Sequence, residues 1–111
     1  MIFENWLEFE LGAQMSVVRR KVIVSGRVQG VAFRYYTRDV ALSKGVYGWV
    51  RNLPDGRVEA TFEGKQEDVD SVVTWCRKGP PASQVEKVQI QEERPTGEFK
   101  DFEIRFTGSL F

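Results

Sequence analysis

Pro54-Asp55-Gly56 separates two strand-like runs, 46–52 and 57–64, and this arrangement restricts the fold more than any other feature. Turn chemistry between two such runs makes a hairpin. In the second run Val58, Ala60 and Phe62 share one face, while Arg57, Glu59, Thr61 and Glu63 share the other. Clean alternation predicts a strand with one face on the core and one in solvent. Helix-period stretches flank the hairpin on both sides. Before it, 32–44 has no Gly or Pro, and Phe33, Tyr36, Val40 and Ala41 fall near helical spacing, with Gly45 placed to cap the end. After it, Val69, Val72, Val73 and Cys76 follow the i, i+3, i+4, i+7 pattern, closed by Gly79-Pro80-Pro81.

Three further segments complete the order. "RKVIVSGRV" (20–28) is β-branched and reads as a strand. Residues 87–91 alternate with Val88 and Ile90 inward, 94–98 form a loop, and Phe102, Ile104 and Phe106 alternate in a last strand. The order is β-α-β-β-α-β with one extra short strand. It predicts an α+β, ferredoxin-like αβ sandwich with a mostly antiparallel sheet and two helices on one face. A helical crossover makes the first two strands parallel with the third between them. Their C-terminal ends then share one sheet edge, about 10 Å apart. The expected division is an N-terminal extension, 1–17, followed by one domain, 18–111. Ile2, Phe3, Trp6 and Leu7 suit one face of a short helix in the extension, and Met15 is an alternative start. No apolar run reaches ~18 residues, so no membrane span is expected. The start lacks the basic region of a signal peptide, and the single cysteine fits a reducing, cytoplasmic setting.

At the shared edge lies "GRVQGVAFR" (26–34). Gly26 and Gly30 open backbone conformations closed to other residues, and successive N–H groups in such a loop form a nest for an anion. The loop feeds a helix N-terminus, which favours negative charge. Arg34 follows in the first turn with a planar fork suited to two phosphate oxygens. The competing reading is an ordinary strand-to-helix turn with Arg34 in solvent. No Gly-Lys-Ser/Thr and no G-x-G-x-x-G occurs, so neither the P-loop nor the dinucleotide fingerprint is present. The net charge is zero, but 19–57 carries nine bases against Asp39 and Asp55, a balance of +7. That imbalance fits a local anion site better than a nucleic-acid surface, with solvated charged faces as the competing reading.

The chemistry is narrowed by what is missing. The chain has no histidine, the commonest general acid–base and metal ligand. Cys76 falls on the inner helix face and reads as core. Asp68-Val-Asp70 falls within a helix and not at a strand end, where a phosphatase aspartate pair would sit. A site without an obvious proton donor suits a bond whose leaving group needs no proton. An acyl phosphate expels a carboxylate, with a pKa of about 4, so positioning and charge stabilisation supply most of the catalysis. Tyr35, Tyr36 or a carboxylate remain as alternative donors. Asn52, at the same sheet edge, can both donate to and accept from an attacking water. Its competing role is ordinary turn chemistry before Leu53-Pro54-Asp55-Gly56.

Two motifs together resemble the acylphosphatase family: "GRVQGVAFR" (26–34), similar to its phosphate-binding loop, and "GWVRNLPDG" (48–56), similar to its second signature. The resemblance runs over about 19–106. It implies hydrolysis of acyl phosphates to a carboxylate and phosphate, with no metal or cofactor. By position it implies that Arg34 binds the phosphoryl group, Asn52 orients the water, and the backbone of Val28, Gln29, Gly30, Val31, Ala32 and Phe33 completes the cradle. A small-molecule acyl phosphate is the expected partner, with no nucleic acid or membrane, and the chain is expected to be a monomer. Residues 1–17 and the tail "TGSLF" depart from the family pattern. The rival readings are a non-catalytic phosphate-ligand-binding or regulatory module of the same fold, and an RNA-recognition domain. The second needs aromatics on the open sheet face, where the third strand offers Arg57, Glu59, Thr61 and Glu63.

Overall fold

A computed structural model of the chain describes residues 16–106. The proposed helix on Ile2, Phe3, Trp6 and Leu7, the alternative start at Met15, and the tail beyond Phe106 lie outside those residues. The elements follow in the order β1 (Val17–Arg27), α1 (Phe33–Ser43), β2 (Tyr47–Asn52), β3 (Val58–Lys65), α2 (Gln66–Lys78), β4 (Gln84–Glu93) and β5 (Phe102–Arg105). The strands form one sheet in the order β4-β1-β3-β2-β5. Every neighbouring pair is antiparallel except β2 and β5, which run parallel. The expected α+β, ferredoxin-like order is therefore present, and β5 is the extra strand at the edge beside β2. Because β3 is antiparallel to both β1 and β2, the C-terminal ends of β1 and β2 reach the same sheet edge.

The apolar alternation drives this arrangement. Val22 and Val24 of β1, Val50 of β2, Val58, Ala60 and Phe62 of β3, and Phe102 of β5 are buried in one cluster with Phe33 and Ala41 of α1 and Val69, Val72, Val73 and Cys76 of α2. Phe62 stacks on Phe102 with centroids 5.7 Å apart, and Phe33 meets Trp75 at 5.5 Å. Each large side chain buried in this way contributes about 1.5–3 kcal/mol. Helix α1 ends where Gly45 was expected to cap it. The Gly45 N–H donates to the Leu42 carbonyl and the Val46 N–H to the Ala41 carbonyl, the crossed pair that closes a helix C-terminus. Among the described residues no helix is long and apolar enough to cross a membrane.

Four side-chain expectations are corrected. Glu59, Thr61 and Glu63 are buried and do not lie on a solvated face. β3 is the central strand, and neighbours fold over its second face: Lys21 and Arg51 pair with Glu59, Arg19 faces Glu63, and the half-buried loop residue Phe99 lies under Arg19. Trp49 is buried on the sheet between the guanidinium groups of Arg51 and Arg105, at 5.3 and 4.8 Å. Tyr36 is exposed, and Thr37 takes the inward position in α1, its hydroxyl donating to the Phe33 carbonyl at 2.8 Å. Ile90 is 43% exposed because β4 is an edge strand, although Val88 packs against the core. Phe106 lies beyond β5 and is exposed.

Candidate active site

The loop 28–32 leaves β1 through a bulge between Ser25 and Gly26. Gly26 has φ 122°, and a Cβ there would stand 2.2 Å from the Gln84 carbonyl oxygen of β4. Only glycine permits that approach, so the loop's departure point is fixed by the sheet. Gly30 has φ 74° with open space around it, a left-handed turn in the middle of the loop. Ala32 also has a positive φ, 61°. A non-glycine residue in that region costs about 1–2 kcal/mol, so the surrounding structure holds the loop in a strained shape at the helix entrance.

The two helix N-termini differ. In α2 the first turn carries Glu67 and Asp68, acids that neutralise its positive end. In α1 the first turn carries no acid, and Ala32 supplies no side-chain cap. The first helical bond runs from the Tyr36 N–H to the Ala32 carbonyl. The N–H groups of Phe33, Arg34 and Tyr35 therefore have no acceptor within the helix. Such an end suits an anion.

Arg34 stands in that turn. Of the nine basic side chains in 19–57, Arg19, Arg20, Lys21, Arg38, Arg51 and Arg57 pair with carboxylates. Arg27, Arg34 and Lys44 pair with none among the described residues. The Arg34 guanidinium carbon instead lies 5.9 Å from the ring centroids of both Tyr35 and Phe106. The +7 imbalance seen in the sequence is thus mostly consumed by pairing, and two of the three remaining cations, Arg27 and Arg34, bracket the loop.

Gln29 supplies a connection that the sequence did not reveal. Its side-chain amide donates to the carbonyls of Leu53 at 2.8 Å and Arg57 at 2.9 Å. Leu53 follows Asn52, the last residue of β2, which faces Val58 in the ladder. The same turn is closed by the Leu53 N–H on the Arg57 carbonyl at 2.8 Å and the Gly56 N–H on the Leu53 carbonyl at 3.1 Å. The Arg57 backbone N–H, seconded by its guanidinium, holds the Asp55 carboxyl below its ordinary range. One amide side chain therefore ties the loop of Val28, Gln29, Gly30, Val31 and Ala32 to the turn that begins at Asn52. Val28 and Phe33 are buried and anchor the two ends of the loop in the core, while Val31 packs against its edge. Asn52 is half-buried at this shared edge.

The remaining candidates fall elsewhere. Cys76 is fully buried in α2, and burial pushes its thiol up to about 12, which keeps it from serving as a nucleophile. Asp70 pairs with Arg20. Among the described residues no group of three or more His, Cys, Asp or Glu side chains is arranged to hold a metal ion. A cleft of about 370 Å³ between Tyr36, Trp75 and Gly79-Pro80-Pro81 includes none of the candidate loop residues, nor Arg34 or Asn52.

Comparison with known proteins agrees with this architecture. A family model described as Acylphosphatase matches residues 20–104. An acylphosphatase of Syntrophobacter fumaroxidans is 58% identical over 88 residues, which span 79% of this chain and 91% of that protein. An acylphosphatase of Pelotomaculum thermopropionicum is 54% identical over 92 residues, 83% of this chain and all of that protein (100%). Among solved structures, an acylphosphatase from Bacillus subtilis superposes with a TM-score of 0.77 at 38% identity, covering 79% of this chain and 98% of that one.

Proposed function

The chain belongs to the acylphosphatase family, and from that premise we propose that it hydrolyses the carboxyl–phosphate bond of acyl phosphates at the edge formed by loop 28–32, Arg34 and Asn52. In this reading the phosphoryl group sits at the N-terminus of α1. Backbone N–H groups from Val28 to Phe33 and the fork of Arg34 receive its oxygens. Asn52 holds a water through one amide atom and aligns it for attack on phosphorus, opposite the carboxylate that departs. As the bond to the carboxylate oxygen lengthens, negative charge spreads over the phosphoryl oxygens and the leaving group. The charge on Arg34 and the helix end oppose that charge where it develops. The departing carboxylate is stable at neutral pH, so the step needs no proton donor on the leaving side, which suits a chain without histidine.

One observation carries the reading. The positive end of α1 and the adjacent Arg34 are both left without an acidic partner among the described residues, in a protein that pairs most of its nearby cations. The tether from Gln29 to the carbonyls of Leu53 and Arg57 supports the part given to Asn52, since it couples the loop to that turn. A monomer in the cytoplasm, acting without metal or cofactor, completes the proposal.

The deciding experiment compares turnover of an acyl phosphate with turnover of a phosphate monoester, both with a chelator present. Rapid hydrolysis of the first and none of the second is the expected result. Monoester turnover, or activity abolished by the chelator, contradicts the mechanism. Phosphate binding without any turnover supports instead a binding module on the same fold.

A further inference from the structure

The cleft of about 370 Å³ beside the two helices has no part in the hydrolytic reading. Tyr36, Trp75, Lys78 and Gly79-Pro80-Pro81 line it. Two aromatic rings and two proline rings make its walls largely apolar. Tyr36 is 46% exposed, and Trp75 is only half-buried although its ring packs on Phe33. An apolar concavity with a charged rim is the kind of surface that a protein segment covers.

The position of Ser16 shows which segment can reach it. The Ser16 carbonyl accepts the N–H of Gln66, the first residue of α2, at 2.8 Å. Residues 1–15 therefore start out from the N-terminal end of α2, and the cleft lies at its other end. Helix α2 has 13 residues, a length of roughly 18–20 Å. Trp6 precedes Ser16 by ten positions. Ten residues span about 15 Å when coiled as a helix and up to roughly 33–36 Å when extended, so the distance to the cleft falls within their reach. The charges run in the same register. Positions 11–15 are Leu, Gly, Ala, Gln and Met, with no charge to oppose Glu67, Asp68 and Asp70 in the first half of α2. Glu4, Glu8 and Glu10 come next along the path, and residues 1–15 contain no Lys or Arg. The last turn of α2 carries Arg77 and Lys78, which pair with no carboxylate among the described residues.

We propose that residues 1–15 dock along α2 of the same chain and seat the Trp6 indole in the cleft, against Trp75 and Tyr36. An indole brings the apolar area that such a cleft takes, and it meets a neighbouring ring favourably with centroids roughly 4.5–7 Å apart. Glu4 and Glu8, on either side of Trp6, then stand near Arg77 and Lys78. Trp75 also packs on Phe33, which anchors the end of loop 28–32. The docked segment thus braces the seam between α2 and the start of α1 without entering the phosphate cradle. The inference is independent of the hydrolytic reading.

Nuclear Overhauser spectra of the full chain test it. Cross-peaks from the Trp6 indole to the rings of Trp75 and Tyr36 are expected, and they should not depend on protein concentration. Trp6→Ala is expected to shift the amide resonances of Trp75, Lys78 and Gly79 and to lower the melting temperature by about 4 °C. Lys78→Glu, at an exposed position, is expected to weaken the same cross-peaks. Absence of cross-peaks to the cleft overturns the proposal, as does a Trp6→Ala variant with unchanged amide resonances and melting temperature. A sample mixing two isotope labels separates the remaining occupant: cross-peaks found only between differently labelled chains place the segment of a second copy in the cleft and contradict docking within one chain.

Discussion

Arg19 and Arg34 present the same guanidinium to opposite surroundings. Arg19 donates from Nε to Glu93 at 3.1 Å and from Nη1 to Glu98 at 2.7 Å. It faces Glu63 at 3.9 Å and covers the Phe99 ring at 4.6 Å. Its Nε and Nη1 are both engaged by carboxylates. Arg34 has aromatic rings at 5.9 Å and no carboxylate among the described residues. A cation neutralised in this way holds two parts of the chain together, here β1 and the loop after β4. A cation left beside an unneutralised helix end is free to accept a ligand charge. Sequence position does not separate the two, since both lie in the same basic stretch. Their partners do.

The comparison can be sharpened first at the water-holding side of the site. Asn52→Ala is expected to lower kcat by roughly 10²- to 10³-fold, the usual cost of removing one positioned polar group. Inhibition by phosphate and the melting temperature should stay close to wild type. Near-normal turnover removes Asn52 from the mechanism.

On the structural side, Glu63 gives the matching experiment. It is buried, faces Arg19, and accepts the N–H groups of Thr96 at 3.1 Å and Gly97 at 2.8 Å. Glu63→Ala leaves those two N–H groups without their acceptor, an expected loss of about 1–3 kcal/mol in denaturant unfolding. Turnover per folded molecule should remain. A stable variant with impaired turnover would reverse the division between the two regions.

The smallest effect concerns alkaline stability. Cys76 titrates ordinarily near 9.0, and burial raises it to about 12 in the fold. Between those values the unfolded chain has released the thiol proton and the folded chain has not, so stability falls as pH rises through that window. Below it the contribution is fully present. Cys76→Ala or Cys76→Ser should flatten this alkaline decline, and the native thiol should resist a disulfide reagent at neutral pH. A fast thiol reaction in the folded protein contradicts the burial.

Much of this was legible in the sequence, for reasons that also explain what was not. The β-α-β-β-α-β order follows from apolar periods and from punctuation at Gly45, Pro54-Asp55-Gly56 and Gly79-Pro80-Pro81, all local signals. The candidate loop and Asn52 were legible because both motifs are short and contiguous. Glu59 and Glu63 were misread because alternation gives the polar face of a strand to solvent. Nothing local announces that arginines from β1 and β2 and the loop before β5 return over that face. Gln29 was named as a loop residue, but its tether was invisible: its acceptors, Leu53 and Arg57, stand 24 and 28 positions away. Phe106 reads as part of the last strand because alternation continues past the point where pairing stops. β5 is matched to β2 only from Gly48 to Arg51, so the ladder ends one residue before it.

Calorimetric titration of inorganic phosphate into wild type, Arg34→Gln and Arg19→Gln tests the contrast most directly. Arg34→Gln should keep the wild-type melting temperature and lose phosphate binding, while Arg19→Gln should melt earlier and bind phosphate as wild type does. Phosphate binding that survives in Arg34→Gln, or disappears in a folded Arg19→Gln, contradicts the account.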